Sequence, residues 1–313
     1  MAFRGRSFIS IHDYQTEEIH TILRTALRLK DELRLGVAHR VLAGRTLGMI
    51  FQKNSTRTRV SFEVGMTQLG GHALFLSSAD LQLNRGETIA DTARVLGRYL
   101  DGIMARVYAH ADIVALAEHS GVPVINGLSD LLHPCQAMAD LMTIQEKKGR
   151  LEGIRLAYVG DSNNVTHSLL QAGARTGMQV RVGSPEGFLP DPEILARSRD
   201  MARASGGTIL VTQDPVEAVR DADVVYADTW ASMGQESEHA ARVKVLRPYQ
   251  VNAELMAHAA GDALFLHCLP AHRGEEVTDD VVDGPHSVVF DEAENRLHVQ
   301  KAIMAVLMGA EAL

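Results

Sequence analysis

Cysteine is nearly absent from this sequence: of 313 residues only Cys135 and Cys268 carry a thiol. Two cysteines cannot make the disulfide framework of a small secreted scaffold, and each lies among polar residues, so both read as free thiols. Long apolar runs are missing too. No stretch approaches the ~18 residues that a membrane-spanning helix needs, and the first ten residues lack the apolar centre of a signal peptide, so a cytoplasmic location is expected. Positive charge is in the minority, with 31 Lys and Arg against 39 Asp and Glu and a net charge of -8. That argues against general binding to nucleic acid or to an anionic membrane, and leaves small molecules as partners. A dinucleotide fingerprint is lacking as well. Gly160 is followed by Asp161, Ser162, Asn163, Asn164 and Val165, without the glycines that close pyrophosphate contact requires, which excludes NAD. Trp230, the one tryptophan, is expected to serve packing. No cofactor and no metal is expected.

What remains is a chain with 46% hydrophobic and 22% charged residues, enough for two cores. Apolar spacing at Ile19, Ile22, Leu23, Ala26 and Leu27 predicts an opening amphipathic helix over 16–35. Apolar strands and helices then alternate, with strands predicted at 45–51, 72–76, 101–106 and 122–125. After a Gly-containing break at 149–153 the alternation resumes, with strands at 154–160, 179–182, 208–211, 223–227 and 263–270 and helices near 192–204, 215–221 and 252–260. Such alternation predicts an α/β protein of two domains, each a parallel sheet covered by helices. The chain closes on a predicted amphipathic helix over 292–312 whose buried stripe is Leu297, Ala302, Ile303, Val306 and Leu307.

The polar residues gather where this fold places ligands, at the carboxyl ends of strands. Ser55 and Thr56 stand at the mouth of a helix, followed by Arg57, Thr58 and Arg59. Unpaired N–H groups, the positive end of the helix dipole, hydroxyls and guanidiniums together make a cradle for a phosphate or another small dianion. Arg106 ends a predicted strand. His133 and Gln136 flank a second helix mouth, whose Pro134 suits a first helical turn. In the second half Asp228 and Ser232 suit an ammonium and a carboxylate, and His267 and Cys268 end the last predicted strand. Between the first cradle and Arg106 runs a polar loop, 77–88, of the kind that often carries function.

Four motifs, Ser-Thr-Arg-Thr-Arg at 55–59, His-Pro-Cys-Gln at 133–136, Asp-x-x-x-Ser-Met-Gly at 228–234 and His-Cys-Leu-Pro at 267–270, resemble the signatures of ornithine carbamoyltransferases, and the similarity spans nearly the entire chain. The first two are shared with the aspartate enzymes and imply carbamoyl phosphate as donor. The last two imply L-ornithine as acceptor, since the aspartate enzymes resemble His-Pro-Leu-Pro at the final position. The resemblance implies a carbamoyl phosphate-binding domain over 1–148 and an L-ornithine-binding domain over 149–313, bridged by interdomain helices, with room for the closing helix to pack back on the first. It also implies a homotrimer, or an assembly of trimers, with sites at subunit interfaces. Residue by residue, Ser55, Thr56, Arg57 and Thr58 would cradle the phosphate, Arg106, His133 and Gln136 would hold the carbamoyl end, and Gln82 would reach in from a neighbouring subunit. Asn164, Asp228, Ser232 and Met233 would grip ornithine, while Cys268, Leu269 and Arg296 would surround the reacting carbon. Thr58, Arg106, His133 and Cys268 are the implied catalytic set. The implied reaction is direct attack of the ornithine δ-amine, giving L-citrulline and phosphate, in arginine biosynthesis or arginine degradation.

Three other readings fit parts of the pattern. Another amine, such as putrescine or an acetylated ornithine, could be the acceptor, but Asp228 and Ser232 suit one that keeps a free α-amino and α-carboxylate group, and putrescine has neither at that carbon. An anion sensor without turnover would not need the acceptor-side residues. A zinc module of His133, Cys135, His267 and Cys268 has a Cys₂His₂ ligand count, but His267 and Cys268, consecutive on a strand, would point to opposite faces.

Overall fold

The computed structural model describes residues 3–78, 81, 86–231 and 238–309. It divides into two compact units, residues 1–142 with 294–313, and residues 143–293. In chain order the first contains α1 (Thr16–Arg34), β1 (Thr46–Phe51), α2 (Thr56–Gln68), β2 (His72–Ser77), α3 (Ile89–Tyr99), β3 (Gly102–Arg106), α4 (His110–Ser120), β4 (Val124–Leu128) and the start of α5 (Pro134–Lys148). The second contains β5 (Arg155–Val159), α6 (Asn164–Arg175), β6 (Gln179–Gly183), α7 (Pro192–Ser205), β7 (Thr208–Thr212), α8 (Pro215–Val219), β8 (Val224–Ala227), α9 (His239–Leu246), α10 (Ala253–Met256), β9 (Leu264–Leu266) and α11 (Asp279–Val282). The closing helix, α12 (Val289–Met308), begins in the second unit and from residue 294 belongs to the first.

Both sheets are parallel throughout, in the orders β2-β1-β3-β4 and β7-β6-β5-β8-β9. Central strands read as nearly continuous apolar runs because helices cover both faces of such a sheet; β3 and β8 are buried along their whole length, as is the outer strand β4, whereas the edge strands β2 and β7 alternate with exposed positions. The helices stop where their sequences direct. Asp191 caps α7 through the N–H groups of Glu193 and Ile194, Pro192 fills its first turn, and Gly206 ends it at a left-handed φ of +81°. Close approach rather than conformation explains Gly48, since a Cβ there would stand 2.3 Å from Cδ1 of Leu100.

Several expected elements are shorter than predicted. The run over 252–260 is helical only at Ala253–Met256, and the N–H of Ala260 pairs across to Ala222 O at 3.0 Å instead of continuing a helix. The last strand ends at Leu266, because the N–H of His267 is taken by Glu292 Oε2 at 2.8 Å rather than by a neighbouring strand. Helix α12 is not a one-sided amphipathic helix. Leu297 and Val306 of the expected stripe are only partly buried, while Glu292, Asn295 and Gln300 have no exposed surface; Asn295 accepts from Lys30 Nζ at 2.7 Å, and the partners of Glu292 and Gln300 are described below.

Candidate active site

In an open parallel sheet, adjacent strands whose crossover helices leave in opposite directions open a crevice at their carboxyl ends. In the first unit that point lies between β1 and β3. β1 leads into Ser55, which caps α2: its Oγ accepts the Thr58 N–H at 3.3 Å and donates to Thr58 Oγ1 at 3.2 Å. β3 ends on Arg106, where the pairing with β4 slips between Ala105 and Arg106, an irregularity of the kind that re-aims a side chain. His133 and Pro134 open α5.

These residues meet a buried network that α12 carries. Arg296 donates through Nη1 to Gln136 Oε1 at 2.7 Å and through Nη2 to Thr58 Oγ1 at 3.3 Å. With its amide oriented to satisfy both ends, Gln300 accepts from Arg296 Nη2 at 2.9 Å and Nε at 3.1 Å and donates to Ser61 Oγ at 2.5 Å. Gln136 in turn donates to Asp140 Oδ1 at 2.8 Å. Thr58, Gln136, Asp140, Arg296 and Gln300 are all buried. Burial, followed by the guanidiniums of Arg296, Arg106 and Arg57, holds His133 well below the ordinary histidine range, so its ring is neutral. Three sequence-predicted residues, Arg57, Arg106 and Arg296, are thereby each near enough to His133 to act on it. A neutral donor amid guanidiniums can receive an anion and a carbonyl oxygen together. Arg59 lies apart from this group: it pairs with Glu63 at 3.4 Å and stacks 3.9 Å from the Phe75 ring centroid. Cys135 is inert packing, its thiol pushed up to about 12 by burial and donating to Asn126 O at 3.3 Å.

In the second unit the switch lies between β5 and β8. Gly160 leaves β5 at φ +127°, and a Cβ there would come within 3.2 Å of Trp230 Nε1, which explains the glycine without a dinucleotide. Asp228 follows β8 and is 6% exposed. Its Oδ2 accepts from Asn163 Nδ2 at 2.7 Å, and its Oδ1 accepts from the Thr229 N–H at 2.8 Å and from Cys268 Sγ at 3.0 Å. Asn163 also caps α6, on whose first turn Asn164 lies. Nearby Asp161 pairs with Arg242, yet burial, reinforced by Asp228, raises its carboxyl to about 6. Leu269 adopts a left-handed φ of +56°, ahead of a cis peptide to Pro270. Thr56 is exposed and Ser55 partly buried at the mouth of α2. Gln82, Ser232 and Met233 lie outside the described residues.

One premise of the sequence reading is corrected. His267 and Cys268 do not point to opposite faces of a strand; both lie past its end, and with Asp228 they present ligand-type atoms within 4.8 Å of one another. Both ring nitrogens of His267 are engaged, Nδ1 by the Leu269 N–H at 2.9 Å and Nε2 by Glu276 Oε1 at 3.2 Å, so the set is held by hydrogen bonds that a metal would have to break. His272, Glu275 and Glu276 form the other such grouping among the described residues.

Sequence reasoning passed over Asp140, Gln300 and Arg242, and took Asp161 and Asn163 only as members of a loop of hydrogen-bonding side chains at a strand end, without a role for either. Two signals were available: Asn163 stands at the cap of α6 with Thr166 three residues on, and Gln136–Asp140 and Arg296–Gln300 are i,i+4 pairs on helices. No spacing rule links Arg242 to Asp161, which are 81 residues apart.

A cradle for an anion on one parallel sheet, and a buried acid beside a thiol on another, are what a two-substrate transferase needs when the group moves from an anionic donor to an amine. Two family models match the chain: aspartate/ornithine carbamoyltransferase, carbamoyl-P binding domain, over residues 6–146, and aspartate/ornithine carbamoyltransferase, Asp/Orn binding domain, over residues 152–307. The chain belongs to the aspartate/ornithine carbamoyltransferase family. It is 60% identical over 309 residues to an ornithine carbamoyltransferase of Pyrococcus horikoshii, covering 99% of this chain and 98% of that one. It is as similar, with the same coverage, to a protein of Pyrococcus furiosus named ornithine carbamoyltransferase, anabolic. The solved P. furiosus ornithine carbamoyltransferase superposes with a TM-score of 0.97 at 59% identity over 100% of both chains, and the anabolic enzyme of Campylobacter jejuni with 0.91 at 43% identity over 96% and 97%. Among the described residues no helix is long and apolar enough to cross a membrane.

Proposed function

We propose that this protein transfers the carbamoyl group of carbamoyl phosphate to the δ-amine of L-ornithine, giving L-citrulline and phosphate. The observation that carries the reading is Asp228, a buried carboxyl fixed by Asn163, Thr229 and Cys268 at the switch point of the second sheet, in a chain 60% identical to ornithine carbamoyltransferases. In this reading residues 1–148 with the C-terminal helix bind carbamoyl phosphate and residues 149–313 bind the amino acid. Ser55, Thr56, Arg57 and Thr58 take the phosphate, joined by Gln82 of a neighbouring subunit. Arg106, His133 and Gln136 take the carbamoyl end. Asn164, Asp228, Ser232 and Met233 hold ornithine, with Cys268, Leu269 and Arg296 around the reacting carbon.

The chemistry suits these residue types. An alkyl ammonium ordinarily titrates near ~10.4, and only the neutral amine attacks. As it adds to the carbamoyl carbon, charge grows on the carbonyl oxygen, and donors from Thr58, Arg106 and neutral His133 stabilise it; one such donor is worth about 3–4 kcal/mol. The carbon–oxygen bond to phosphate then breaks, the proton lost by the amine nitrogen passes to an oxygen of the leaving phosphate, and phosphate departs with its charge already met by Arg57 and the mouth of α2. The protein acts as a cytoplasmic homotrimer or an assembly of trimers, in arginine biosynthesis or arginine degradation; the anabolic name of the P. furiosus relative favours biosynthesis. The decisive experiment is citrulline formation by the purified protein from carbamoyl phosphate and L-ornithine, with putrescine, N-acetylornithine and L-aspartate in parallel. Turnover confined to ornithine is expected. Turnover with another amine would overturn the reading of Asp228, and none with any amine would overturn the transferase.

A further inference from the structure

His267 has no part in the chemistry above, yet both of its ring nitrogens are engaged. It has no exposed surface and stands one residue past β9. Its backbone N–H donates to Glu292 Oε2 at 2.8 Å, and Glu292 Oε1 accepts from Tyr226 at 3.2 Å, so the base of the residue is fixed. The ring faces two partners of opposite kind. Nδ1 accepts the N–H of Leu269 at 2.9 Å. A nitrogen that accepts carries no proton, so the proton of the neutral ring sits on Nε2, where Glu276 Oε1 receives it at 3.2 Å. Glu276 is itself buried, at 1% exposure, and the same oxygen accepts the His272 N–H at 2.5 Å.

Between the two bonded ends of this strut lies Cys268, whose thiol donates to Asp228 Oδ1 at 3.0 Å. Directly after it Leu269 holds φ +56°, a conformation that is unfavourable for a residue with a Cβ and persists only where its surroundings fix it. The bond from the Leu269 N–H to His267 is such a constraint, and it reaches back across Cys268. We infer that His267 is a positioning residue for the proposed transfer: its Nδ1, kept an acceptor by the Nε2–Glu276 bond, clamps the Leu269 N–H and so fixes the direction in which Cys268 and Leu269 face the substrates. The kinetic consequence rests on the carbamoyl-transfer reading. The clamp itself does not.

Two amide variants separate the two ends of the ring. His267→Asn places a carbonyl oxygen near the position of Nδ1 and keeps an acceptor for Leu269, whereas His267→Gln reaches toward Glu276 and leaves the Leu269 N–H unmet. With ornithine as acceptor, His267→Asn is expected to keep kcat within about 3-fold and His267→Gln to lose ~10²-fold, with KM for carbamoyl phosphate little changed, the loss expected for a ~1 Å misplacement. Iodoacetamide alkylation of Cys268 gives a readout free of turnover, because Cys135 is buried. Its rate should match wild type in the Asn variant and change several-fold in the Gln variant. In the unaltered protein, ¹⁵N-histidine NMR should find His267 protonated on Nε2 and bare on Nδ1. Equal loss in the Asn and Gln variants, alkylation unaltered in both, or a proton on Nδ1 would overturn the clamp. Absence of turnover in the wild type would overturn the transferase instead, and alkylation and NMR would still decide the role of His267.

Discussion

At Leu269 the backbone conformation and the residue type disagree, since an L residue with a branched side chain is held at φ +56° where glycine would rest freely. Leu269→Gly should lower kcat, as the turn beside Cys268 gains freedom, while in urea unfolding the relief of the left-handed φ is offset by the apolar packing that Leu269 gives up against the core of its unit. Asp161 gives a pH test in the same unit. Its folded carboxyl titrates at about 6 against 3.8 for the free group, so between those values the folded state binds the extra proton. Stability contributed by that proton is present below 3.8 and is lost as pH rises through about 6. Measured as the slope of Tm against pH over this window, the decline should flatten in Asp161→Asn, and an unchanged slope would contradict the assignment. At Asp228 the expectation is steeper. Asp228→Ala should raise KM for ornithine by ~10²-fold, the worth of a charge-assisted contact of about 3 kcal/mol, with carbamoyl phosphate affinity read by calorimetry unchanged.

Helices rather than loops fix the polar network of the first unit. Arg296 is placed by α12, Gln136 by α5 and Thr58 by α2, and Gln300 locks the guanidinium from one turn further along α12. Gln300→Leu keeps the volume, removes the lock and strands part of a buried guanidinium; it should cost about 2–3 kcal/mol of stability and weaken carbamoyl phosphate binding about tenfold by calorimetry. A fall in stability with affinity intact would show that Gln300 merely packs. At this scale the sequence was readable where local rules act: the Ser55 cap, the mouth of α5 and the alternation of strands with helices all follow from short-range pattern. It misled at α12, where a single buried apolar stripe was expected and the polar residues 292, 295 and 300 are buried as well. Periodicity reports which residues prefer water, not which have found a partner from a distant element. It also overran β9, because Glu292, 25 residues away, takes the N–H that would have continued the strand.

The first unit leaves apolar side chains exposed, Val60 on α2 and Leu74 on β2, two elements in contact, and separately Val95 and Tyr99 on α3, at 52%, 39%, 46% and 74% exposure. Exposed apolar side chains of this size suit self-association. Light scattering should give a mass of three 34.1 kDa chains or a multiple of three, and Val95→Glu should shift it toward the single chain; a monomeric wild type would remove the subunit role proposed for Gln82. What the sequence determined by itself was the α/β class, the two runs of parallel strands and the residue types at the strand ends, because each depends on spacing within about twenty residues. The four short motifs added the family. Only the tertiary structure decided which of those residues meet. It took Arg59 out of the cradle and brought Arg296 into it, gave Asp228 its partners Asn163 and Cys268 from 65 and 40 residues away, and engaged both nitrogens of His267. Parallel topology is the reason: it gathers the carboxyl ends of strands distant in sequence at one edge, and burial there admits polar groups only when each finds its complement.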